Sequence, residues 1–266
     1  MEFYVGLIDG GVAIKPLIEN RITPAIKRSG DIKLADSSVK RYVRINLSGK
    51  SAVFMLADIL SDIIIENLQI RILMTELKSE YSFIPDKEQC DILTRALKKL
   101  WFADNGAEHL EKIKKDVSNR IAVCLFESNG VLSLDGIIRF RMKDYTHKWC
   151  SALDDSIEEY LKKTERQEFI GLLRYFVSMR EPQKKAVHVY MDTDGKYNIK
   201  DENGKPISVS ISGAEHGIEK AATDEDLLLS KLICIAPEVI VLENEIEKDL
   251  CELITKVFIG RVRNAY

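Results

Sequence analysis

The spacing of apolar positions changes twice along the chain. Phe3 to Ile8 is β-branched and aromatic and is closed by Gly10-Gly11, and Tyr42-Val43-Arg44-Ile45-Asn46-Leu47 alternates apolar with polar residues, so both stretches are predicted strands. Pro16, Pro24 and Gly30 divide the link between them, which leaves room for short helical turns only. From Ser48 the period lengthens. Val53, Leu56, Leu60, Ile63, Ile64, Leu68, Ile72 and Leu77 predict one long amphipathic helix or two in series; a further helix opens at Pro85, and another runs from about Ala107 to Phe126. After the break at Ser128-Asn129-Gly130, the series Ile138, Met142, Tyr145, Trp149, Leu153, Ile157 and Tyr160 marks one face of a helix over most of 137–163. A second helix, from about Gln167 to Met179, is stopped by Pro182.

Past Pro182 the period falls to two. Val187, Val189 and Met191, then Tyr197 and Ile199, then Ile207, Val209 and Ile211 alternate, with Asp194-Gly195 and Asn203-Gly204 between the runs. Glycine takes the positive φ of tight hairpins at no steric cost, so the pattern predicts a three-stranded meander. Thr223 and Asp226 form a capping-box start for a helix to about Ile235. Val239 to Leu242, Glu245 to Val257 and Phe258 to Val262 then give a β-α-β ending. The class predicted is α+β: a helical layer in residues 48–182, a meander and β-α-β ending that build a sheet, and amino-terminal strands that join that sheet. The three regions, 1–47, 48–182 and 183–266, are expected to form one compact unit.

Composition narrows the class. Hydrophobic residues make up 45% and charged residues 30% of the 266, the balance of a folded soluble protein. Five scattered cysteines without a C-x-x-C pair indicate reduced usage, and Met1 to Gly6 carries none of the marks of a secretory signal, so the expected compartment is the cytoplasm. Ala52 to Ile65, the most apolar stretch, is interrupted by Asp58 and Asp62 and falls short of the roughly 20 residues that cross a bilayer, so no membrane insertion is expected. A net charge of −3 and a pI near 5.9 argue against wholesale wrapping by nucleic acid. The charge is uneven, with nine Lys and Arg against five Asp and Glu in residues 1–50, and seven against thirteen in residues 201–266.

Several motifs fail on spacing. Gly49-Lys50-Ser51 has Arg44 where a phosphate-binding loop needs its first glycine, so it is read as an ordinary helix start. Asp192 and Asp194 resemble the opening of a calcium loop, but Lys196 occupies the third ligand position, which favours a hairpin turn. His109, His147, His188 and His216 have no partner at a ligand spacing, so neither a metal nor a cofactor is predicted. Asp58, Asp62 and Glu66 line one stripe of a helix and are read as a solvated face rather than a metal site. Asp154, Asp155, Glu158 and Glu159, with Lys162 and Lys163 a turn later, are read the same way. The run Asp135 to Tyr145 stands apart, because Arg139, Arg141 and Lys143 flank a core-facing stripe and arginine suits carboxylate or phosphate. These cations either hold an anion or pair with acids near 154–168.

The same run, together with Glu168-Phe169-Ile170-Gly171-Leu172-Leu173-Arg174-Tyr175-Phe176-Val177, resembles the signature stretches of the YtxC family. Val187-His188-Val189, Asp201 to Lys205, Asp226 to Ser230, Ile235-Ala236-Pro237 and Val257 to Val262 follow in the family's order. The resemblance covers about Ser48 to Val262 and is specific from 134 to 262. It implies a protein of endospore-forming Firmicutes, associated with sporulation by name and occurrence, with no established enzyme activity and no catalytic residues to carry over. It departs at the carboxyl end: members commonly carry cysteines just after the Gly-Arg-Val, whereas this chain reads Arg263-Asn264-Ala265-Tyr266.

The leading expectation is a non-enzymatic cytoplasmic factor that binds a protein partner during sporulation, because no residues form a set of nucleophile, base and oxyanion donor. One alternative is a binder of a phosphorylated ligand or nucleic acid through Arg139, Arg141 and Arg174. Another is an enzyme whose acids and bases converge only in three dimensions.

Overall fold

The computed structural model describes residues 1–7, 16–22, 32–35, 42–102, 107–208, 223–243 and 246–264. Gly10-Gly11, Pro24, Gly30, Val209 and Ile211 of the third meander strand, His216, Glu245 and Ala265-Tyr266 lie outside the described residues. The fold is α+β, and contacts divide the chain into two units, Met1–Tyr160 and Leu161–Tyr266.

In the first unit, β1 (Glu2–Gly6) pairs antiparallel with β3 (Tyr42–Leu47), and β2 (Ile32–Ala35) pairs antiparallel with the far edge of β3. The remaining edge of β1 takes β4 (Val131–Ser133) in parallel, giving the order β2-β3-β1-β4. The amino-terminal strands therefore do not join the carboxyl-terminal sheet, contrary to the sequence expectation; pairing with one another and with β4 accounts for them. β4 is also a strand within a stretch expected to be helical, too short at three residues to show a period. Its approach needs Gly130, where φ is +88°, a Cβ would stand 3.0 Å from the carbonyl oxygen of Glu2, and the carbonyl accepts from the Tyr4 amide at 2.6 Å.

Val43, Ile45 and Leu47 alternate into the core, as the period of two requires. A short helix α1 (residues 16–22) buries Ile18 and Ile22. After α2 (Lys50–Ile63) the backbone widens into a π-helical turn, Ile64–Leu68, before α3 (Gln69–Glu80) resumes. Ile63, Ile64 and Ile65 are all buried across this junction, more consecutive positions than one face of an α-helix serves. α4 (Asp86–Trp101) and α5 (Ala107–Glu127) complete the layer, with Ser61 Oγ of α2 donating to the Lys114 carbonyl of α5 at 2.7 Å.

α6 (Leu134–Arg141) ends at Met142, which is fully buried with φ −127° and ψ 29°. The break is held by Arg120, which donates to the Arg141 carbonyl at 3.0 Å and to both carboxylate oxygens of Asp144 at 2.7 and 2.8 Å. α7 (Lys143–Ser178) then runs without interruption. The sequence places the break near 164–166 instead, yet Thr164-Glu165-Arg166 contains nothing that stops a helix. Arg139 and Lys143 accordingly stand on different helices rather than on one face.

In the second unit, the hairpin of β5 (Ala186–Met191) and β6 (Tyr197–Asp201) is antiparallel. β7 (Val239–Leu242) and β8 (Val262–Asn264) extend the sheet in parallel, in the order β6-β5-β7-β8. Gly195 and Gly204 both take φ +77°, as the turn dipeptides require. The expected third strand is represented by a bridge between Lys200 and Pro206 and by the Ile207 amide donating to Ile199. α8 (Asp224–Ile235) carries the capping box of Thr223 and Asp226, and α9 (Lys248–Val257) makes the β-α-β crossover. Val187, Val189, Ile199, Leu232, Ile240, Ile254 and Phe258 form the core.

Candidate functional site

Within the second unit, α7 turns Ile170 and Val177 into that core, with Leu173 packed against it. Three- and four-residue steps from Phe169 through Leu172, Tyr175 and Phe176 to Met179 put five large apolar side chains on another face, each more than half exposed. Tyr175 and Phe176 contact each other at a ring separation of 6.2 Å. Between the two faces lies Gly171, exposed, with open space where a Cβ would stand. A mid-helix glycine costs about 1 kcal/mol relative to alanine, and neither φ nor packing requires one here.

On the flank beyond Gly171, Lys163, Arg166, Gln167 and Arg174 of α7 and Lys256 of α9 line a groove of about 500 Å³. Arg174 Nε donates to the Lys256 carbonyl in the last turn of α9, where helical carbonyls have no partner of their own and a cation opposes the negative helix end. Lys256 Nζ is 2.9 Å from Glu252, one turn back, which holds the Glu252 carboxyl below its ordinary value. The groove thus presents four cations with one acid bordering them.

Arg139 and Arg141 belong to the first unit and Arg174 to the second. Arg139 is exposed on α6 and is not free of partners. Arg141 meets Glu127 of α5 at 3.4 Å, both side chains 60% exposed, rather than an acid near 154–168. Lys163 and Arg166, which sequence reasoning passed over, share the groove with Arg174. Their spacing of three and eight to Arg174 was the available signal.

The other motifs have structural explanations. Asp192 Oδ1 accepts from the amides of Asp194 and Lys196 at 3.0 and 2.9 Å, and Asp201 Oδ1 from those of Asn203 and Lys205 at 2.9 and 3.0 Å, so both carboxylates close turns. Glu243 accepts from Lys200 at 2.7 Å and lies 4.0 Å from His188 Nδ1. Among the described residues no group of His, Cys, Asp or Glu is placed to hold a metal ion. Nor, among them, is any helix long and apolar enough to cross a membrane.

The row Asp58, Asp62 and Glu66 is not a solvated face. Lys114 of α5 reaches Asp62 at 3.0 Å and Glu66 at 2.5 Å, Arg21 of α1 pairs with both, and Ser118 Oγ donates to Asp58 at 2.5 Å. Burial works to raise the Glu66 carboxyl, but hydrogen bonds from Arg21 and Lys114 override it and hold the group below the usual range. Burial pulls the Lys114 ammonium down, and its bonds to Glu66 and Asp62 raise it on balance.

The family signatures meet around one side chain in the second unit. Arg261 Nη1 donates to the carbonyls of Ala236 at 3.2 Å and Pro237 at 3.1 Å, while its own carbonyl accepts from the Ile240 amide at 2.8 Å. It therefore ties Ile235-Ala236-Pro237 to Gly260-Arg261-Val262 where α8 ends, with Ala236 itself at φ 45°. A family model, that of the YtxC-like family, matches residues 54–263 and so spans both units. The chain belongs to the YtxC-like family. Over 143 residues it is 28% identical to the uncharacterized protein YtxC of Bacillus subtilis (strain 168), an alignment covering 53% of this chain and 50% of that protein. The match thus spans about half the length of this curated relative, and no solved structure matches. The family is one of uncharacterised activity.

Proposed function

We propose that this chain acts in the cytoplasm as a non-enzymatic, sporulation-associated factor that receives one helix of a protein partner on the outer face of α7. The observation that carries this is the exposure of Phe169, Leu172, Tyr175, Phe176 and Met179 on a helix whose other face is already filled by its own core. A contiguous apolar patch of this kind marks an interaction surface in a folded protein. Gly171 supports helix-on-helix docking, since a missing side chain lets a second backbone approach closely. The groove with Lys163, Arg166, Arg174 and Lys256 supports a partner helix with an acidic flank. A second copy of the chain fits less well: a two-fold axis through the middle of 169–179 sets the Arg174 border of one copy beside that of the other. The link to sporulation in endospore-forming Firmicutes rests on the YtxC resemblance, and the compartment on reduced cysteine usage.

A photo-crosslinking side chain at Leu172, introduced in sporulating cells, should capture one protein through a segment that is an acidic amphipathic helix. Phe176→Glu should abolish the capture without lowering the melting temperature. Gly171→Ala should stabilise the isolated chain by roughly 0.5–1 kcal/mol yet weaken the crosslink, a combination that a purely structural glycine does not give. A purified dimer dissolved by Phe176→Glu would instead assign the face to self-association.

A second reading, an anionic ligand held through Arg139, Arg141 and Arg174, is favoured by the place of Arg174 among the groove cations. Thermal melts with and without phosphate or an oligonucleotide should then show a stabilisation that falls with salt and is lost in Arg174→Ala. Wild-type melting indifferent to every anion ends this reading.

A further inference from the structure

The first unit contains a cavity of about 470 Å³ that none of the foregoing uses. Its volume lies in the range of small-molecule sites, which are mostly apolar with a few placed polar groups. Ile65, Leu100 and Ile113 contribute aliphatic surface, and Trp101, Trp149 and Tyr145 contribute rings. Trp149 is only 2% exposed. Tyr145 is fixed in place: its hydroxyl donates to Asp116 at 2.9 Å and the Arg120 guanidinium lies over its ring at 5.0 Å. Burial first, and then that bond to Asp116, push its phenol up to about 12, so it stays neutral.

The polar lining is of one sign. Lys99, Lys112 and Lys148 reach the cavity together with His109. The acid nearest these cations is Glu159, 3.0 Å from Lys99; Lys148 lies 5.7 Å from the Tyr145 ring centre, and Lys112 has no ion-pair partner among the described residues. Gln69 also lines the cavity although it is 1% exposed. Its Oε1 accepts from Trp101 Nε1 at 3.1 Å, and its amide nitrogen has no acceptor among the described residues. A buried donor without a partner normally costs stability, so a donor aimed at a cavity points to a ligand acceptor.

We propose that this cavity binds a nucleoside phosphate, the base against the indole and phenol rings with an acceptor on Gln69, and the phosphate among the three lysines. Inorganic phosphate would use the cations and leave the apolar walls wetted. An uncharged aromatic would leave the cations unsatisfied. Stacking on aromatic rings and charge neutralisation are each sequence-tolerant ways to hold a nucleotide.

Both tryptophans of the chain line this cavity, so indole emission reports on it directly. With excitation at the red edge of indole absorption, where nucleotides do not absorb, ADP should give a saturable change at low salt. Adenosine or inorganic phosphate alone should bind at least about tenfold more weakly, and Lys112→Glu combined with Lys148→Glu should weaken ADP by at least about tenfold with unchanged melting. Both lysines are exposed, so that variant keeps its fold. No saturable response to ADP, a response matched by adenosine or by phosphate alone, or one indifferent to the double substitution would overturn the assignment.

Discussion

Phe258→Ala should lower the stability of the second unit by about 3–5 kcal/mol, the usual range for deleting a large buried aromatic. Phe258 is 1% exposed, and the backbone on both sides of it is pinned: its amide donates to Ile254 at 2.8 Å and its carbonyl accepts from Arg261 at 3.0 Å. The surroundings have little freedom to collapse into the space left. Phe258→Leu, which keeps most of the volume, should cost far less, under about 1.5 kcal/mol. Neither tryptophan lies within Leu161–Tyr266, so the loss has to be read by amide hydrogen exchange on β5 and β7, whose slowest amides open with the unit as a whole. Protection in the alanine variant within about 1 kcal/mol of wild type would show that Phe258 is not a core anchor.

Lys114→Met should cost the first unit roughly 1–3 kcal/mol, because it leaves Asp62 and Glu66 with Arg21 alone to neutralise them. Both carboxylates are about one-third exposed, and water moderates the loss below that of a wholly buried pair. The pH dependence has a definite sign. Glu66 is held below its unfolded value, so its contribution is complete above the ordinary carboxylate range and disappears as pH falls through the folded-state value. Lys114 is held above its own, so its contribution is complete below the unfolded lysine value and is lost as pH rises through the folded one. The gap between wild type and variant, measured by denaturant titration of indole emission, should be widest near neutrality and close toward both extremes. A gap that widened in acid would contradict the assigned network.

Period and turn chemistry made much of this architecture legible. The alternation of Val187, Val189 and Met191 with its glycine turns, the Thr223 cap and the β-α-β ending all rest on local rules, and all are present. The partition of strands between sheets was not legible, because β1 can pair as well with one neighbour as with another and only the distant Gly130-Val131-Leu132 decides its free edge. The break at Met142 was hidden for a similar reason: an arginine 22 positions earlier in the chain holds it, and nothing in the run itself marks it. Asp58, Asp62 and Glu66 read as solvated because periodicity reports which residues share a face, not what that face meets. The apolar face of α7 sat in plain view as Phe169, Leu172 and Phe176, but a helix apolar on two sides cannot tell from sequence which side its own core will take.

The π-helical turn at Ile64–Leu68 has a further consequence for which changes in length the chain tolerates. Deleting one residue there would restore a regular α-helix and turn everything beyond it by about 100°. Leu73 and Leu77, both wholly buried, would swing out of the core, and Gln69 away from Trp101. A single-residue deletion at this junction is therefore a heavier change than most substitutions within it. Relatives that lack the extra residue would have to carry a rewritten α3, and those that keep it can exchange one isoleucine for another aliphatic residue at little expense.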